Sequence, residues 1–423
     1  MANDWNTVRY ELDNGKNYSD IYNSPWYSDA EYDKFSPQEY DRRHDAARAL
    51  MDRDGFDAFI LTGGQNIYSL GSAVTWGCGL IDQRGMCQYL VLPRNGEATL
   101  VYPHPGCHLE AVRMQVAISD VRSGEDGHFG RVIANRLKEL DPAPRRLGVT
   151  AADTNGPEFM GVAAYQELRS ELPDVEIEFL PRLWHELSYR KGSEEIAAMR
   201  RGGELAIASL EAVAKASQPG RREYELAAAG TEAVLAGGGQ VHLMMIGATS
   251  MADPRLMYPN PNPSHRALRE GDIILTEIAA AYLGYSAKIG HPITIGEPAP
   301  EAQRMYEVSV EVLREIEAVL GPDVALEKIM EASGGYRRAG MQSRPVTLHG
   351  IDLITAGPKV SVRGVSSAGF DDRLVPGMVV NIESTPISQD GVYGQFLSRT
   401  YAIEEDGVQC LTPYPVDELL TVG

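Results

Sequence analysis

A few residues able to move protons or hold charge stand inside otherwise apolar runs of this 423-residue chain. Glu277 and Lys288 share the run DIILTEIAAAYLGYSAKI, His349 lies in TLHGIDL, and Glu383 lies in MVVNIESTPI. A carboxyl group among apolar neighbours is pushed toward a neutral pKa, and an imidazole titrates near neutrality without help. Such groups can take a proton from water or give one to a leaving nitrogen. Each also has a plainer reading, as a solvent-facing lysine on an exposed strand or a hydrogen-bonded core histidine. Arg84, His265, His291, Lys359 and Arg363 have the same two readings, as site residues or as loop and surface groups. Taken singly, none of them decides for chemistry.

The elements that must position these groups fall into two series. Residues 1–35 are polar and aperiodic and read as an extended arm packed on a partner. A helix is expected from Ser36 or Pro37, with Tyr40, Ala46 and Leu50 on one side and Gly55 as its stop. DAFILTG then reads as a short buried strand, and MCQYLVLPRNGEATLVYP as a hairpin turning at Arg94-Asn95-Gly96. Strand-like RLGVT and VEIEFLP alternate with helical RVIANRLKEL and VAAYQELRSEL, which makes residues 36–185 an α/β domain. From residue 186 to 423 the character changes. GSEEIAAMRRGGELAIASLEAVAKAS is a long amphipathic helix with Ser193 as N-cap, stopped by Pro219-Gly220. Helices over REYELAAAGTEAVLAGG and PEAQRMYEVSVEVLREIEAVLG are interleaved with strand-like VHLMMIGATS, DIILTEIAAAYLGYSAKI, MVVNIESTPI and LSRTYAIEEDG.

Five of these stretches, taken in order, resemble the creatinase, prolidase and methionine-aminopeptidase superfamily. They are LWHELSYRKGSEEIAAMRRGGELA, REGDIILTEIAAAYLGYSAKIG, LHGIDL, PGMVVNIESTP and SRTYAIEEDGVQCLT, and the likeness covers roughly residues 36–415. It implies an α/β N-terminal domain followed by an α+β C-terminal pita-bread domain. Its metallopeptidases hold two divalent ions on two Asp, one His and two Glu. Carried onto this chain, those positions are Glu277, Lys288, His349, Glu383 and Ser398. An ammonium cannot coordinate a cation and repels one at a few ångströms by several kcal/mol. The resemblance therefore implies a dismantled metal site, with Lys288 compensating Glu277 and Glu383 where a metal once stood. A single ion on Glu277, His349 and Glu383 is the alternative.

Creatinase and ectoine hydrolase share the fold, have lost the metals, and hydrolyse C–N bonds of small molecules. By that resemblance Glu383 is the water-activating base, its pKa raised by burial and a neighbouring carboxylate, and His349 is the proton shuttle. Departures from creatinase are plain. Its catalytic His aligns near Asn260, and its catalytic Glu aligns with Gly290, followed by His291. Substrate contacts are expected from Asn260, His291 and Ser398, from Arg84 of the first domain reaching a neighbouring protomer's pocket, and from Lys359 and Arg363 in the loop after His349.

The formal charge of −20 excludes a role built on nucleic-acid phosphates or an anionic membrane surface. No apolar run approaches the roughly 18 residues of a membrane span. Cys78, Cys87, Cys107 and Cys410 form no CxxC pair and read as buried free thiols, so the expected location is cytoplasmic. The combined expectation is a metal-independent, cofactor-free homodimeric hydrolase, cutting a C–N bond in a small carboxylate-bearing molecule. Three rivals share the fold: a lyase resembling dimethylsulfoniopropionate lyase, a non-catalytic module resembling that of a histone chaperone, and a metal-dependent Xaa-Pro peptidase.

Overall fold

The protein is represented by a computed structural model, which describes residues 29–63, 71–81, 87–104, 107–124, 127–150, 159–353, 355–366 and 372–423. Arg84 and most of the expected arm, residues 1–28, lie outside the described residues. The chain divides into two compact units, one up to Leu187 and one from Ser188 to Gly423.

In the first unit, helix Pro37–Asp54 starts where the Ser36 hydroxyl accepts the Glu39 amide at 3.2 Å, with proline opening the first turn. It stops at Gly55, whose φ of 75° is a left-handed cap that glycine adopts at little cost. Six strands follow in the order Asp120–Ser123, Thr99–Tyr102, Tyr89–Pro93, Ala58–Thr62, Arg146–Thr150, Glu176–Leu180. The expected hairpin is the antiparallel Tyr89–Pro93 and Thr99–Tyr102 pair, and the remaining strand pairs mix parallel and antiparallel. Helices Phe129–Lys138 and Val162–Glu171 pack Ile133, Leu137 and Leu168 against Ile60, Val91 and Val149. Cys78 is a buried free thiol, but Cys87 and Cys410 are only half-buried.

The second unit is built on two sheets. One contains Gln240–Ser250, Asp272–Tyr282, Tyr285–Ile289, Ile293–Ile295 and Leu420–Val422. The other runs Gly364–Ser366, Thr355–Ser361, Val346–Ile351, Val379–Ser384, Leu397–Glu404, Gly407–Cys410. Helix Ser193–Ala216 lays Leu205, Leu210 and Val213 against Ile274, Ile278 and Ile289 of the first sheet. Each such buried side chain stabilises the fold by about 1.5–3 kcal/mol. Ser193 is the first helical residue rather than the cap. Gly192 caps instead, its amide donating to the Glu195 carboxylate at 2.7 Å. Helix Pro300–Glu317 packs Val312, Leu313 and Ile316 into the core that holds Leu348, Val380, Ile382 and Leu397 of the second sheet. A bridge between Gly290 and Ser398 joins the two sheets, and it is here that the polar residues converge.

A lysine-centred candidate active site

Turn chemistry brings Glu277 to Lys288. Strands Asp272–Tyr282 and Tyr285–Ile289 are joined by Leu283 and Gly284, with φ of 52° and 82°. Two successive positive φ values give the two-residue turn that matches the twist of a hairpin. The register it sets places Lys288 opposite Ala279, so Glu277 is the diagonal neighbour of Lys288 on the same face. In the second sheet His349 lies opposite Asn381, while Glu383 lies opposite Ser398. Alternation along those strands puts Asn381 with Glu383, and Ser398 with Thr400, on one face. The two sheets are pinned at Lys288 itself, whose amide donates to Thr400 Oγ1 and whose carbonyl accepts from it, each at 2.9 Å. Asn381 adds a donor to the Lys288 carbonyl at 3.2 Å.

Glu277, Lys288, His349 and Glu383 are between 3% and 5% exposed, so their charges meet with little water between them. The Lys288 ammonium donates to Glu277 Oε1 at 2.9 Å, to His349 Nε2 at 3.0 Å and to Glu383 Oε1. An ammonium has three protons, and all of them are used. His349 Nδ1 faces the Gly350 carbonyl at 2.8 Å. A carbonyl only accepts, so Nδ1 carries the proton and Nε2 offers its lone pair to Lys288. Nε2 also lies 3.1 Å from Glu383 Oε1, close enough for a proton to pass between them. The Tyr258 hydroxyl donates to Glu277 Oε2.

The charges answer one another. Burial alone would lower the Lys288 pKa, but the Glu277 and Glu383 carboxylates outweigh it and hold the ammonium above its ordinary range. Burial would raise Glu383, and the Lys288 charge with the His349 contact reverses this, holding it well below the ordinary 4.5. The expected raised pKa of Glu383 is therefore corrected. Its nearest charged neighbour is a cation, not the second carboxylate. Burial, then the Glu277 charge, pushes the Tyr258 phenol far above its ordinary 10.0, so it remains a donor.

A divalent ion bonds carboxylate oxygen and imidazole nitrogen at about 2.0–2.6 Å. Here the Lys288 nitrogen already lies at hydrogen-bond distance from the three atoms such an ion would use. The residues do not fit a metal. Among the described residues, no group of three or more His, Cys, Asp or Glu side chains is placed to hold one.

The remaining expected site residues divide. Ser398 faces the cluster from opposite Glu383; it is fully buried, and its hydroxyl has no hydrogen-bond partner among the described residues. Lys359 is on strand Thr355–Ser361 rather than in a loop, half-buried and directly opposite His349. Three others are corrected. His291 is a core histidine, 1% exposed, with Nδ1 on the Pro292 carbonyl and Nε2 on the Tyr306 hydroxyl. Asn260 donates to the buried Glu223 carboxylate instead, at 3.4 Å. Arg363 is exposed on a turn and lines a separate cavity of about 430 Å³ with Tyr336 and Arg337. Gly290 has its own requirement, because a Cβ there would come within 2.2 Å of the Phe396 ring. That ring packs on Tyr258 at 5.1 Å and lies 5.8 Å from the Lys288 nitrogen. Tyr258, Phe396 and Arg344 went unnoticed in the sequence. Tyr258 sits in an irregular proline-rich loop, whereas Arg344, five residues before His349, is a polar residue beside a strand that could have been singled out.

The model of metallopeptidase family M24 matches residues 197–409. The probable dipeptidase PepE of Mycobacterium tuberculosis is 28% identical over 405 residues, which are 92% of this chain and 98% of that protein. The crystal structure of dipeptidase PepE from Mycobacterium ulcerans superposes with a TM-score of 0.69 at 25% identity, covering 92% of this chain and 100% of that one. The Xaa-Pro dipeptidase from Bacillus anthracis gives 0.73 at 18% identity, over 90% and 100%, a likeness of fold alone. The expected α/β N-terminal domain and C-terminal pita-bread domain are the architecture of these structures.

Proposed function

The chain belongs to metallopeptidase family M24, and from that premise we propose that it is a metal-independent hydrolase of a C–N bond in a small carboxylate-bearing molecule. The observation that carries this reading is the Lys288 ammonium, which spends its three protons on Glu277, His349 and Glu383. It sets a positive charge between two carboxylates, and it takes the place that a cation would need.

In this reading Glu383 activates water through Oε2, the oxygen that makes no hydrogen bond to the described residues, while Oε1 is held by Lys288 and His349. The water oxygen bonds to the acyl carbon as its proton passes to Glu383. The C–N bond then breaks as Glu383 Oε2 returns that proton to the leaving nitrogen, giving an acid and an amine, while His349 Nε2 and Lys288 hold Oε1 in place. Glu383 works as a weaker base than a raised pKa would make it, so the centre depends on orientation more than on basicity. Tyr258 and Lys288 hold Glu277, which fixes Lys288 from the far side.

The amide of a dipeptide falls within this substrate class. That narrower reading is favoured by 28% identity across 98% of a probable dipeptidase. Lactams, amidines and non-peptide amides are the other members. The test is turnover of a panel of such compounds by purified protein, with elemental analysis of the same sample. Less than about one equivalent of transition metal, with chelator-resistant turnover, is the expected result, because Lys288 opposes a cation. Stoichiometric Mn, Fe, Co or Zn, with activity lost on chelation and restored by that ion, would overturn it.

A further inference from the structure

We propose that Arg344, with Thr385 beside it, is the subsite that binds the carboxylate of the substrate, an assignment that rests on the hydrolase reading and sharpens it. The register argues first. Gln342 and Ser343 pair with Ile387 and Pro386, and the next rung sets Arg344 against Thr385, the Arg344 amide donating to the Thr385 carbonyl at 3.3 Å. Residues directly opposite share a face, and Thr385 follows Glu383 by two, so both side chains stand on the Glu383 side.

Partners argue second. The Arg344 guanidinium lies 3.7 Å from the centre of the Tyr258 ring, and the Tyr258 hydroxyl donates to Glu277. Stacking on an aromatic face, with a side-chain hydrogen bond to Tyr258, fixes the plane of the guanidinium. Arg344 Nη1 is buried with no hydrogen-bond partner among the described residues, and so is Thr385 Oγ1 on a residue 1% exposed. Buried donors left unpaired cost free energy, and they are found where a ligand completes them. Here one guanidinium nitrogen and a hydroxyl, both without a partner among the described residues, stand one rung from the proposed centre.

Charge argues third. Arg344 feels the Glu383 and Glu277 charges through space, yet makes no direct ion pair with either among the described residues, so its Nη1 remains available to an incoming anion. A planar monoanion can accept from Nη1 with one oxygen and from Thr385 Oγ1 with the other. A phosphate would bring more negative charge against Glu277 and Glu383 than one guanidinium offsets.

The experiment compares two probes of equal shape, N-acetylglycine and N-acetylglycinamide, by calorimetric titration of the full chain. Wild-type protein is expected to bind the acid about tenfold or more tightly than the amide. Arg344→Gln should erase that preference by weakening the acid alone, Arg344→Lys should keep part of it, and Thr385→Val should reduce it by a smaller factor. Equal binding of both probes by wild type, or an undiminished preference in Arg344→Gln, overturns the subsite. Should Arg344→Gln fail to fold, an undiminished preference in both Arg344→Lys and Thr385→Val overturns it. Binding needs no turnover, so the two readings fail separately. An Arg344-dependent preference in a protein that hydrolyses none of the panel retires the hydrolase and keeps the carboxylate site.

Discussion

Two buried histidines of the second unit invite comparison. His349 and His291 are 3% and 1% exposed, and each sets Nδ1 on the carbonyl of the following residue, Gly350 or Pro292, at 2.8 Å. The anchor is the same; the difference lies at Nε2. His349 meets an ammonium and a carboxylate there, whereas His291 meets the Tyr306 hydroxyl, which also lies 3.1 Å and 3.0 Å from the Val416 and Glu418 carbonyls. Around His291 nothing charged compensates burial, and burial holds it neutral, its pKa lowered to about 4. The two sites thus differ in what reaches Nε2, not in burial or in the anchoring of Nδ1.

The severest way to break the contrast is Lys288→Ala, which strips the charge from His349's side. Removing one partner of a buried ionic group costs about 3–5 kcal/mol, to be read by denaturant unfolding. At least one carboxyl should take up a proton near neutrality, which a potentiometric titration against wild type detects. Lys288→Arg should retain part of the stability. Wild-type stability in Lys288→Ala would mean that the cluster is not held by the ammonium.

Next in size is Glu383→Gln, which keeps the shape and removes the base. Turnover is expected to fall about a hundredfold or more. In wild type the Glu383 carboxyl is held below 4.5, so the acid limb of kcat/KM should lie below that pH, activity falling only as the carboxylate is finally protonated. Near-wild-type turnover in the variant, or an acid limb near neutrality assigned to this residue, would remove Glu383 from the mechanism.

The smallest effect sharpens the comparison from the other side. His291 is neutral when folded with a pKa of about 4, against an ordinary 6.5. Between those values the unfolded chain binds the extra proton, so stability falls as pH drops from about 6.5 toward 4, by up to about 3 kcal/mol. His291→Gln should flatten that part of the thermal-stability profile and leave turnover near wild type, while His349→Gln should cut turnover and leave that slope in place. An unchanged slope in His291→Gln would show that the titrating group lies elsewhere.

The residues of the centre were legible only through the ordered likeness of several stretches, because a lone Glu or His in an apolar strand carries no address. The hairpin that joins Glu277 to Lys288 was legible only as a β-like run; the turn at Leu283 and Gly284 was not. The depressed Glu383 was misread although the likeness set Lys288 between the carboxylates, because burial and the second carboxylate were weighed above the ammonium and the His349 contact. His291 failed for a related reason: adjacency to an aligned position says nothing about the direction of a side chain on a strand. Tyr258 arrives from a loop without periodicity, and Arg344, which follows the two-residue strand Gln342–Ser343, was passed over although it lies five residues before His349.

The positive charge of the centre is made by the ribosome. Lys288 brings it on its own side chain, so every copy of the chain that pairs its two sheets has a loaded centre. A bound ion can be withheld, exchanged or scavenged, and a cell can throttle an enzyme by the supply of that ion. A charge fixed in the coding sequence offers no such valve. If the metal-independent reading of the centre holds, the quantity of working centres follows the synthesis and degradation of the polypeptide.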